Sequence, residues 1–139
     1  MNGLSFAAQL SAFRARTLRN HDRVRRGVAL RLFKAIIMDT PVLTGRLRGN
    51  WQTSLNVPDR LTNGSADATG GEAINRAADK VRESDSNDIL ILTNSLPYVA
   101  RIEYEGWSHT KAPAGMVRIN VARFKNILGE ELRTTSTRI

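Results

Sequence analysis

The first 39 residues constrain this chain more than any other stretch. Leu10, Phe13, Thr17, Val24, Val28, Leu32 and Ala35 recur at 3–4 spacing, which places them on one side of a helix at 100° per residue. The spacing predicts one long helix from Leu4 to about Asp39, either unbroken or interrupted once near Asn20-His21 or Gly27. Asp39-Thr40-Pro41 ends it, because the residue before a proline is pushed out of the α region.

Arg16, Arg19, Arg23 and Arg26 also follow 3–4–3 spacing and fall on the side away from that apolar stripe. Residues 1–50 hold ten basic side chains against Asp22 and Asp39, whereas residues 51–139 hold eleven of each sign, so the whole net charge of +8 sits in the N-terminal third. Like charges three and four residues apart repel by a few tenths of a kcal/mol per pair, a small local cost to the isolated helix. A plain solvated face usually mixes signs. A basic block this one-sided implies an acidic partner, either nucleic acid or the acidic face of another protein. It would contact backbone phosphates rather than read bases, since no helix-turn-helix, zinc finger or aromatic RNA-binding sheet is recognisable.

Past Pro41 the periodicity changes. Thr44-Gly45 marks a turn, after which Trp51, Thr53, Leu55 and Val57 alternate with Asn50, Gln52, Ser54 and Asn56, the pattern of a half-buried strand. Residues 58–71 form a polar, glycine-containing loop of a length that is usually functional or flexible. Glu72 to about Glu83 places Ile74, Ala77, Ala78 and Val81 at helical spacing, and Asp88–Asn94 (DILILTN) is an apolar strand expected to pair with the Trp51 strand. A short helix is expected over Pro97–Glu103. From Pro113, Val117, Val121, Phe124, Leu128 and Leu132 favour a C-terminal helix over a strand, with residues 134–139 as a frayed tail. The expectation is a single α+β domain over 1–139: a basic long helix (1–39), then an α+β body (41–133) in which a small antiparallel sheet carries the short helix and the C-terminal helix packed on it.

Chemistry-bearing patterns are sparse. Gly64, Gly70 and Gly71 are not followed by the Lys-Ser/Thr of a phosphate loop. Asp85, Asn87 and Asp88 lack the glycine and terminal glutamate of a calcium loop. His21 and His109 have no converging carboxylates for zinc, and the chain has no cysteine, which excludes thiolate sites and disulfides. Asn63-Gly64-Ser65 matches a glycosylation sequon but reads as a turn. Glu103 and Glu105 are the only carboxylate pair beside aromatics, and Glu103 with His109 is the best pair available to an enzyme. No catalytic residue, metal or cofactor is expected. No apolar run approaches the ~18 residues of a membrane span, and the Arg-rich first 25 residues do not read as a secretory signal.

Two stretches carry a resemblance. Pro41-Val-Leu-Thr44-Gly45-Arg46-Leu47-Arg48-Gly-Asn50-Trp51 is followed, after an apolar strand, by Asn94-Ser-Leu-Pro97-Tyr98-Val-Ala-Arg-Ile-Glu103-Tyr-Glu-Gly106-Trp107-Ser108 and Ala112-Pro113-Ala-Gly115-Met116-Val117. In order and spacing, roughly over Arg31–Phe124, these resemble the head–tail joining (neck or tail-completion) proteins of tailed bacteriophages. The residues carrying the resemblance are Thr44, Gly45, Leu47, Arg48, Trp51, Asn94, Pro97, Tyr98, Glu103, Gly106, Trp107, Ser108, Pro113 and Gly115. Asn50 stands where the resemblance leads one to expect Ser, and the N-terminal arginines are denser than it requires.

The resemblance implies a non-enzymatic structural protein of the virion neck. It would be present in the host cytoplasm during assembly and form a ring, a hexamer or dodecamer. Its implied partners are connector or head-completion proteins, tail-terminator or tail-tube proteins, and packaged double-stranded DNA held without sequence specificity. The motif residues would serve subunit interfaces, with Tyr98, Tyr104 and Trp107 in a docking loop over 94–115. The alternative, from charge alone, is a free nucleic-acid-binding module acting through Arg16, Arg19, Arg23 and Arg26.

Overall fold

The computed structural model describes residues 3–42, 44–64, 66–105 and 115–137, with side chains from Phe6 to Thr135 within them. Helix α1 runs unbroken over Gly3–Asp39. Neither Asn20-His21 nor Gly27 interrupts it. Gly27 lies where the C-terminal helix crosses, and a Cβ there would stand 2.3 Å from Glu131 Oε2, so this glycine serves close approach rather than a break.

After α1, residues Arg46–Gly49 form one helical turn (α2), and strand β1 covers Gln52–Leu55. Helix α3 spans Gly71–Glu83, strand β2 Leu90–Thr93 and helix α4 Val99–Tyr104. Helices α5 (Val117–Val121) and α6 (Phe124–Thr137) complete the chain. The expected C-terminal helix is thus two helices, stepped at Ala122-Arg123, and it continues to Thr137 where a frayed tail from 134 was expected. Thr135 is buried, which explains the extension. Among the described residues no helix is long and apolar enough to cross a membrane.

β1 and β2 pair antiparallel with Gln52 opposite Thr93 and Leu55 opposite Leu90. The expected two-faced alternation fails over Gln52 and Thr53, both of which are buried. α3 packs on β1. The loop after β1 lies against Thr93, which donates its hydroxyl to the Asp59 carbonyl, so both faces of the strand are covered. α6 packs most extensively on α1, with Arg31 paired to Glu130 and Glu131. The core gathers Ile36 and Ile37 of α1 with Leu47, Trp51, Ala73, Leu96, Ile102 and Met116. Only the second half of α1 contributes to it.

Candidate functional site

Two knots of hydrogen bonds hold the body, and half of the motif residues are spent in them. The first closes the C-terminus of α1, whose last carbonyls have no partner within the helix. Arg48 of α2 donates to the carbonyls of Met38 (2.9 Å) and Thr40 (2.8 Å), and to that of Ala68 at 2.7 Å. Its charge also suits the negative end of the α1 dipole. Trp51 Nε1 donates to Thr40 Oγ1 at 2.8 Å, and Thr40 returns a bond to the Ile36 carbonyl at 2.7 Å. Gly45 makes the approach feasible: its φ is +87°, and a Cβ would sit 2.5 Å from the Ala68 nitrogen.

The 58–71 loop is tied to this knot. Buried Asn50 donates to the Asn63 carbonyl (3.0 Å) and accepts from the Asn63 N–H (2.7 Å). Asp67 accepts the Ala73 N–H at 3.0 Å in the first turn of α3, where a carboxylate is favoured. Asn94 donates to the Leu47 carbonyl at 2.8 Å.

The second knot is Glu103. Its carboxylate accepts the N–H groups of Met116 (2.7 Å), Val117 (2.9 Å) and Arg118 (2.8 Å) at the start of α5, and Arg118 Nε at 3.2 Å. Burial pushes this carboxyl upward, but the backbone donors and Arg118 outweigh it and hold it below its ordinary value. A carboxylate so fully engaged is a clamp, not a proton shuttle. Gly115, at φ +81°, would place a Cβ 2.5 Å from Glu103 Oε2.

The motif residues expected at subunit interfaces take several different places. Gly45, Leu47, Trp51, Glu103 and Gly115 are buried inside one chain, and Arg48 and Asn94 spend their donors on its own carbonyls. Thr44 and Pro97 remain exposed, while Tyr98 is half-buried against the core. Gly106, Trp107, Ser108, His109 and Pro113 lie outside the described residues. So do residues 106–114 of the docking loop expected over 94–115, whose earlier part holds α4. Among the described residues no three His, Cys, Asp or Glu side chains gather as a metal site would require.

The arginine stripe divides in two. Arg16, Arg19 and Arg23 are exposed, with Arg16 stacked 5.8 Å over the Phe13 ring. Arg26, expected to face a polyanion, instead donates through Nε (3.1 Å) and Nη2 to the Ser84 carbonyl. Ser84 caps the C-terminus of α3, where carbonyls need donors. Arg25 beside it donates to Ser84 Oγ at 2.9 Å.

The feature least visible in the sequence is what lies opposite the arginines. Every residue from Phe6 to Arg19 is exposed, including Phe6 (60%), Leu10 (58%) and Phe13 (57%) at i, i+4, i+7. This arm projects from the body by about 21 Å at 1.5 Å per residue. Its stripe runs into a groove of about 560 Å³ whose α1 wall extends from His21 to Phe33. Ile89, Leu90, Phe124 and Leu128 form the far wall, and Ile89 is 63% exposed. Asp88 stands at the mouth, held below the ordinary carboxylate range by the Asn56 amide and the Asp85 N–H. The Phe6-Leu10-Phe13 spacing was available in the sequence; the groove was not, because it joins residues about a hundred positions apart.

No family model matches this chain, and neither a curated protein nor a solved structure matches it.

Proposed function

We propose that this chain is a structural protein of the tailed-phage neck, assembling as a ring around the DNA channel between the head connector and the tail. The observation that carries the reading is the exposed apolar arm and groove on a body in which Arg48, Trp51, Asn94 and Glu103 are spent on its own scaffolding. Such a molecule has binding surface to spare. The residue order described above supplies the neck as the place for it. Arg16, Arg19 and Arg23 add a sequence-independent, salt-sensitive attraction for DNA, suited to holding a strand that must still pass. Deleting the chain from the phage that encodes it should leave filled heads and tails accumulating unjoined, as seen by electron microscopy. Normally joined particles would sink the reading.

A second reading is favoured by the same three exposed arginines: a free nucleic-acid-binding module. It requires the purified chain to bind duplex DNA at low salt, weakening steeply as salt rises. Absence of binding at low salt removes it.

A further inference from the structure

We infer that the arm of one copy seats in the α1–β2–α6 groove of the next, so that copies join head to tail. The inference rests on the ring reading for its biological setting and on surface chemistry for its geometry. The arm offers Phe6, Leu10 and Phe13 along one helical face, the anchor pattern by which an amphipathic helix fills an apolar groove. Phe6 to Thr17 spans about 18 Å at 1.5 Å per residue, and the α1 wall of the groove from His21 to Phe33 about 20 Å by the same measure.

Charge selects the pairing. Between Phe6 and Arg19 the arm carries Arg14, Arg16 and Arg19 and no acid, so two arms laid together repel. Residues 83–88, which lead into the groove at Asp88, carry Glu83, Asp85 and Asp88 and no base, and the one arginine lining the groove, Arg25, spends its guanidinium on Ser84 Oγ and the Asp85 carbonyl. Arm against groove therefore brings opposite charges together, where arm against arm brings like ones. Donor and acceptor are different patches of the same chain. That is a heterologous interface, which closes into a ring when the rotation allows it.

The chain has no cysteine, so introduced thiols report without background. Phe13→Cys and Ile89→Cys, both at exposed positions, are prepared as separate full-length proteins, mixed and mildly oxidised. The mixed disulfide should exceed either homodimer, and a control pairing of Phe13→Cys with Asn75→Cys on the exposed face of α3, by about tenfold. Phe13→Glu should shift the unmodified protein to monomer in sedimentation, with its circular dichroism retained. Predominant Phe13→Cys homodimers overturn the proposal. So does a wild-type chain that stays monomeric while the Phe13→Cys and Ile89→Cys mixture cross-links no better than the control, leaving the arm for a polyanion or another protein. Arm–groove linkage in the purified protein, alongside normal particles from the deleted phage, would refute the neck reading while leaving this interface standing.

Discussion

The two halves of α1 share one helix and one periodicity, yet their surroundings are opposite. From Phe6 to Arg19 every side chain is exposed, whereas Val28, Phe33, Ile36 and Ile37 are buried. The exposed half is rich in Ala, Arg and Leu, good helix formers, and it extends a helix already nucleated by the packed half. Propensity and propagation therefore suffice for the arm; tertiary packing holds the rest. The difference teaches that amphipathicity marks a face able to bury itself, and leaves open what does the burying.

Matched substitutions test how deep the contrast runs. Ile37→Ala, in the fully buried half, should cost about 2–5 kcal/mol in urea unfolding. The same truncation at Leu10 in the dilute monomer should stay within about 0.5 kcal/mol; equal losses would show that the arm packs on the body.

Glu103→Gln comes next, at about 1.5–3 kcal/mol at neutral pH, because a charged acceptor of several N–H groups is lost. The wild-type carboxyl is held below its ordinary 4.5. Its contribution is therefore complete above that value and lost as pH falls through the folded one. Unfolding midpoints from pH 6 down to 3 should decline less steeply in the variant.

Arg26→Ala should cost about 1 kcal/mol by freeing the buried Ser84 carbonyl, while Arg19→Ala should be nearly silent in stability. DNA binding should reverse that order. Each lost phosphate contact lowers the slope of log affinity against log salt by about 0.9, so Arg19→Ala should flatten it and Arg26→Ala should not. The smallest effect is expected from removing residues 1–17. The melting temperature should hold within a few degrees while the 222 nm signal falls with the lost turns.

Much of the fold was legible because its signals are local. The 3–4 spacing over α1 and α3, the apolar run of β2 and the stop at Pro41 each need only a short window. The step at Ala122-Arg123 was not legible, since Val117, Val121, Phe124 and Leu128 keep helical spacing across it. Gln52 reads as an outward residue, yet it is buried beside its strand partner Thr93, which holds the Asp59 carbonyl of the following loop. Glu103 resembled a reactive carboxylate because its donors lie 13–15 residues further on, in a segment whose direction the sequence does not give. Arg19 and Arg26 belong to one stripe, and only a partner 58 positions away tells them apart. The candidate surface was half legible: the arm's apolar spacing is in the sequence, its groove only in the fold.

The placement of α1's partners has a consequence for synthesis. α3, α5 and α6 all follow it in the chain, and α6 ends at Thr137. A ribosome adding about 5–20 residues per second needs on the order of 5–20 s to travel the last ~100 residues. Throughout that interval the nascent helix shows its oily side to solvent. The dense arginines of the first third then act as a dispersant, keeping neighbouring nascent chains on one message apart by mutual repulsion until the C-terminus arrives to close the body.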